Sequence, residues 1–404
     1  PDLLGTLPSL TKLDCASNRI KTLPYTLGFS KTCKTIACHE NPLEDPDQDE
    51  VTKGLDSLKW YLRQKLLINE RGMPPPMVFE HISVRGEVTI LNPEWRVRIR
   101  HMMKVAEKDG LLNLQLMGLT EFPSDILKMG KSLKKLRLDF NDRLDFTKGN
   151  YGGGFPEEEL SHLRLLSLRG CKQLVLPDSI SNLKRLTSAN FEENNYEYMP
   201  RDLCRIRSIT DLNFSNNHLY DIPKEIKGIS ALRALNLMGN YIEDLPPQFF
   251  TLKKLGVLNL SKNRLCQVSM DIIRLTSLTR LNLERNNLTS VPTAIKDIRL
   301  KVCLLGHNRI FQLPDDLFLG AMGEAVMHFS CAENNLLELP ASTFQINPEA
   351  VFEADYNPLL SPPTYILSEG LSVLQNYLHV RLNRVNELED LLDEEDFDFL
   401  RENA

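Results

Sequence analysis

Apolar positions along this chain recur with a period of twenty-three residues, and an asparagine marks each turn of the count at Asn194, Asn217, Asn240, Asn263 and Asn286. The surroundings repeat with it. Leu232, Leu235 and Leu237 precede Asn240, and Ile242, Leu245 and Pro246 follow it; Leu278, Leu281, Leu283, Asn286, Leu288, Val291 and Pro292 keep the same order. The frame also runs through Leu186, Phe191, Asn194, Tyr196, Met199 and Pro200, through Ile209, Leu212, Phe214, Asn217, Leu219, Ile222 and Pro223, and through Leu255, Leu258, Leu260, Asn263 and Leu265. The apolar pair before each asparagine alternates with polar residues as a half-buried strand does, and the apolar residues after it break that alternation. Each repeat thus predicts one short strand, a turn at the asparagine and a return segment reaching the proline. A single repeat presents more apolar surface than it can bury alone, so neighbours must stack. The asparagine amide falls where the chain turns inward. There it is expected to bond backbone groups of its own turn and of the neighbouring repeat, which would otherwise be buried without partners.

The frame LxxLxLxxNxLxxLP resembles the leucine-rich repeat family. That resemblance implies an α/β solenoid, with a curved parallel sheet on the concave face and turns or short helices on the other side. Weaker copies extend the register. Upstream stand Leu133, Leu136, Leu138 and Asn141, then Leu163, Leu166, Leu168, Cys171, Leu174, Leu176 and Pro177, the second with cysteine in the asparagine slot. Downstream stand Leu300, Cys303, Leu305, Asn308, Ile310, Leu313 and Pro314, then Val326, Phe329, Cys331, Asn334, Leu336, Leu339 and Pro340, and a last copy at Phe352, Asn357 and Leu359. Leu112, Leu114, Leu119, Phe122 and Pro123, with methionine at the asparagine position, predict the opening repeat.

The chain contains two array ends. Asn41-Pro42-Leu43 followed by Gly54-Leu55, Leu58, Tyr61-Leu62 and Leu66 is matched without a gap by Asn357-Pro358-Leu359 followed by Gly370-Leu371, Leu374, Tyr377-Leu378 and Leu382. The spacing of the second half of each copy is helical, so each predicts an amphipathic helix that closes a solenoid. The expected organisation is therefore two arrays in tandem: the end of a first array over 1–66, a linker over 67–93, a second array over 94–385 and an acidic tail over 386–404. Two repeats are too few for a first array, which makes the chain an expected piece of a longer protein or one preceded by further repeats. Three consecutive prolines within 72–76 predict an extended connector, and 81–91 predicts a strand pair or strap. A helix over 94–106, offering Trp95, Ile99, Met102 and Met103, is expected to shield the first strand of the second array.

Composition narrows the function classes. With 404 residues and 42% hydrophobic content the chain can bury a large core, and no apolar stretch is long enough to span a bilayer as a helix. Six of the eight cysteines occupy apolar or repeat slots, which favours a reducing compartment and the cytoplasm. Sequons at Asn213, Asn259 and Asn287 fall out of the repeat pattern and carry no expectation of glycosylation. Net charge is −6, but residues 386–404 hold nine acidic groups against Arg401, leaving the remainder about +2. That balance predicts neither nucleic-acid binding nor membrane insertion. Gly130-Lys131-Ser132 lacks the upstream glycine of a phosphate-binding loop, the glycine-rich stretch 149–154 reads as an insertion, and the eight histidines show no paired metal spacing. Neither a catalytic site nor a cofactor or metal is expected.

A binding surface is expected instead. Asn190, Asn213, Asn236, Asn259 and Asn282 lie between the strand apolar residues and point to the concave face, either gripping a partner or satisfying one another. Flanking positions change from Glu192, Glu193 and Asp211 to Lys262, Arg280, Arg285 and His307, a charge gradient that would orient a partner. The leading reading is a non-enzymatic intracellular scaffold that binds a protein partner through this face, since the repeats look like those of cytosolic Ras-group and signalling scaffolds. Alternatives are a structural subunit of a large cytoskeletal or axonemal assembly, and the recognition region of an enzyme whose catalytic domain lies outside the chain. In the tail, Leu388, Leu391, Leu392, Phe397, Phe399 and Leu400 are interleaved with acids, which predicts docking on a partner or back on the later repeats.

Overall fold

The computed structural model describes residues 10–23, 27, 33–43, 58, 62, 94–146, 155, 159–172 and 175–389. The connector at 72–76, the strap at 81–91, the insertion at 149–154 and the tail from 390 onward lie outside them. The chain divides into two compact units, Pro1–Ile90 and Leu91–Ala404.

In the first unit, β1 (Lys12–Asp14) and β2 (Thr35–Ala37) pair in parallel. Leu23, Leu27 and Cys38 form a small core with Leu58 and Leu62, two helical residues one turn apart. Asn41 donates from Nδ2 to the carbonyls of Cys15 and Cys38 at 2.9 and 3.0 Å, while its Oδ1 accepts from the Ile20 N–H at 3.0 Å.

The second unit opens with a helix, Glu94–Asp109, that buries Ile99 and Met103 against the first strand. Eleven parallel strands follow, each paired with its sequence neighbours: β3 (Leu111–Asn113), β4 (Lys135–Arg137), β5 (Leu165–Ser167), β6 (Ser188–Asn190), β7 (Asp211–Asn213), β8 (Ala234–Asn236), β9 (Val257–Asn259), β10 (Arg280–Asn282), β11 (Val302–Leu304), β12 (His328–Ser330) and β13 (Val351–Glu353). The strands are only three residues long because alternation lasts no longer. The middle residue of each points inward, as Leu235 and Leu281 do at 1% and 0% exposure. One core runs unbroken from Ile99 to Leu378. Its last members, Leu374 and Leu378, come from the closing helix Leu371–Glu389, which also fixes itself by donating from Gln375 Nε2 to the carbonyls of Phe344 and Ile346. Among the described residues no helix is long and apolar enough to cross a membrane.

The proline of the frame has a definite task. It stands directly ahead of a one-turn 3-10 helix, held extended near its ring-fixed φ, and its carbonyl accepts the first bond of that turn, as Pro223 does from Ile226 N at 2.9 Å and Pro246 from Phe249 N at 2.8 Å. Lacking an N–H, proline leaves no donor stranded. Where Ser269 replaces it, the hydroxyl accepts from Asp271 N at 3.2 Å, so a side-chain cap takes over the start of the turn.

The repeat asparagines act as expected, and their geometry is uniform. Asn240, 3% exposed, donates to the carbonyls of Phe214, Leu237 and Met238 at 3.0, 2.9 and 3.4 Å, and accepts from the Leu219 N–H at 2.9 Å. Two repeats are tied by one side chain. Cys171 imitates this in part: its thiol donates to Leu138 and Arg169 carbonyls at 3.3 and 3.7 Å but offers no second atom to the preceding repeat.

One position departs from the apolar frame at a cost. Tyr196 occupies the slot filled by leucine or isoleucine elsewhere, edge-on to Phe191 and Phe214, and its hydroxyl is buried without a hydrogen-bond partner among the described residues. Burial pushes the phenol well above its usual range. Tyr196→Phe should therefore raise stability by about 1–2 kcal/mol, the penalty of a stranded hydroxyl, readable as a shift of the denaturant midpoint at unchanged slope. A lower midpoint would mean that the hydroxyl is satisfied in solution.

Candidate functional site

The sheet face is built from the outer residues of each strand and the turn that follows. Asn190, Asn213, Asn236, Asn259 and Asn282 end β6 to β10 and stand opposite one another in register, spaced by the interstrand distance of about 4.8 Å. They do not satisfy one another as a stack. Each Oδ1 instead accepts from the backbone two residues on, at 2.9–3.1 Å for Glu192, Ser215, Met238, Ser261 and Glu284, an arrangement that holds the turn leaving the strand. This fixes the carbonyl ends inward and leaves the amide nitrogens on the face. Asn213 and Asn282 use theirs on Glu192 and Glu284 at 3.3 and 3.2 Å, whereas those of Asn190, Asn236 and Asn259 make no hydrogen bond to the described residues.

Asp211 and Arg280 open β7 and β10 and are exposed on the same face. Lys262, Arg285 and His307 lie elsewhere: each immediately precedes a repeat asparagine, with φ of 55, 56 and 55°. Every strand of the second unit is followed by such a left-handed residue, filled by glycine only at Gly170 and Gly239. A Cβ on Gly239 would come within 2.6 Å of the Asn216 side chain, so side chains at this position form a continuous row along the rim of the sheet. In that row Arg285 Nη2 lies 3.2 Å from His307 Nε2, and His307 Nδ1 lies 2.7 Å from Glu333. The two contacts fit a neutral ring that donates from Nδ1 and accepts at Nε2.

Arg169 is a residue the sequence reading passed over. Its guanidinium pairs with Glu193 and lies 3.6 Å from Glu192, and the Glu193 hydrogen bond, foremost, holds its pKa above the ordinary value. The acidic end of the expected gradient is thus partly neutralised on site, while Lys262 and Arg280 make no ion pair with the described residues. Beside Arg169, Asp139 is 5% exposed and accepts from Gln115, Ser167 and the Arg169 backbone. Nothing in the repeat frame marks Asp139, because its partners come from the two repeats on either side. A second cluster sits beyond the rim, where His218 stacks on Tyr241 at 5.6 Å and the Arg264 guanidinium lies over the Tyr241 ring, 4.3 Å from its centroid. Those three do share one slot, directly after the asparagine of successive repeats.

Residues 230–293 match the family described as leucine rich repeat. A leucine-rich repeat protein of Leptospira interrogans is 24% identical, with a TM-score of 0.51 over 65% of this chain and 78% of that one. The ectodomain of the Arabidopsis thaliana membrane receptor kinase GASSHO1/SCHENGEN3, in complex with Casparian strip integrity factor 2, is 22% identical with a TM-score of 0.48; the match covers 89% of this chain and 37% of that one. The chain therefore has the leucine-rich repeat fold, and residues 230–293 carry the repeats that the family model describes.

Proposed function

We propose that the second unit is a non-catalytic scaffold that binds a protein partner across its sheet face, with the polar centre of the interface on β6 to β10. The observation that carries this is the division of labour in the asparagine row. Each carbonyl oxygen is committed to its own turn, and the free amide donors of Asn190, Asn236 and Asn259 face outward in fixed positions, suited to the carbonyls of a polypeptide. Lys262, Arg280 and Arg285, in neighbouring repeats, add positive charge at one end and so give the partner a direction. An intracellular setting agrees with the thiols: none of the eight cysteines is bridged, and burial pushes Cys171, Cys204 and Cys303 up to about 12, which marks them as packing groups and not as reactive ones.

The test is a paired affinity isolation from cytosol with wild type and an Arg280→Glu, Arg285→Glu variant. Partners that engage this face should fall by about tenfold in recovery from the variant, while its melting temperature stays within a few degrees of wild type. Recovery of the same proteins in the same amounts, from a folded variant, would remove the sheet face from consideration.

A further inference from the structure

Charge in the second unit is sorted by position within the repeat. The five residues that lead into each of β4 to β11, counting the first strand residue, contain thirteen Lys or Arg and a single acid, Asp211. On the opposite edge, the four residues after the asparagine slot of the same repeats hold four Lys or Arg against six acids. A near-neutral sum conceals a basic edge.

The edge is rigid in register. The N–H groups of Arg164 and Leu165 both bond the Lys134 carbonyl at 2.7 and 3.1 Å, and the pattern continues as Arg233 and Ala234 bond Thr210, Gly256 and Val257 bond Arg233, and Lys301 and Val302 bond Thr279. Seven such steps span about 34 Å at the usual interstrand distance, the length of about ten residues of extended polypeptide. Lys134, Arg164, Arg207, Arg233, Lys254 and Lys301 are exposed along it and make no ion pair with the described residues. At one end the cations are close enough to act on His162, whose pKa is lowered by its burial and then by Arg185, Lys131, Arg164 and Lys134.

We propose that this edge docks an extended, acid-rich polypeptide segment of a partner. The edge shares Asp211 and Arg280 with the sheet face, whereas Arg207, Arg233 and Lys254 lie ahead of the strands. Thirteen cations over that length give one per about 2.6 Å, near the one carboxylate per about 3.3 Å that an extended acidic chain presents. The five-residue segments carry no Phe, Tyr or Trp, so a single-stranded nucleic acid would find no stacking platform. A double helix would find a row of turns, with no helix or ribbon to enter its groove.

The experiment measures fluorescence anisotropy of a labelled poly-glutamate peptide, titrated with the full chain at low and high salt. One variant carries Arg207→Glu, Arg233→Glu and Lys254→Glu; a control carries Arg201→Glu, Lys224→Glu and Lys227→Glu, the same change of charge on the convex 3-10 helices. The edge variant should bind about tenfold more weakly and the control within about twofold of wild type, both with the wild-type melting profile. Equal loss in the two folded variants would reduce the effect to net charge and overturn the proposal. So would tighter binding of phosphatidylserine vesicles or of an oligonucleotide than of the peptide, which would assign the edge to a membrane or to nucleic acid.

Discussion

Leu237→Asp is expected to unfold the second unit at room temperature. Leu237 is wholly buried at the centre of the continuous core, so the substitution loses a leucine's transfer free energy and strands a carboxyl group, together above about 5 kcal/mol. Repeats touch only their neighbours, and each neighbour needs the shared surface, which makes the loss spread along the array. Circular dichroism and denaturant titration read this directly. Retention of most of the signal with a cooperative transition would show that the array yields locally, repeat by repeat.

Asn240→Ala should cost about 3–5 kcal/mol, more than most buried polar substitutions, because one side chain serves four backbone groups in two repeats. Alanine strands the N–H of Leu219 in a core without water and takes one of two donors from the carbonyls of Phe214 and Leu237, which keep Asn217 and Asn263 respectively. The comparison with Cys171 sharpens the expectation: Cys171→Ala removes only two weak thiol contacts and should cost well under half as much. Equal costs at the two positions would mean that the amide's reach into the preceding repeat contributes little.

The repeat frame was legible residue by residue, because burial and the asparagine bonds recur with the sequence period and need nothing from elsewhere in the chain. Even the imperfect repeats with Cys171 and Met117 were placed correctly, since the flanking leucines set the register. What escaped was whatever depends on several repeats at once. Arg169 binds Glu192 and Glu193 one repeat later, and Asp139 collects donors from both neighbouring repeats. Of the two readings open for Asn190 through Asn282, mutual satisfaction gives way to local turns, since an amide reaches the N–H two residues on more readily than its counterpart one strand away. The basic edge was hidden for a different reason: a sum over the chain averages positions that the solenoid separates.

The left-handed residue before each repeat asparagine implies a trade-off between durability and display. Non-glycine residues in that conformation cost about 1 kcal/mol each, and glycine would relieve it, yet the second unit keeps a side chain at nine of these eleven turns. Conformational strain is thus tolerated along the whole rim, at places that contribute nothing to the core. A version with glycine throughout would be sturdier and blank. Because the turn is imposed by the asparagine and its carbonyl partners, the rim residue can change identity without disturbing the layers beneath, so new specificities can be written there one repeat at a time.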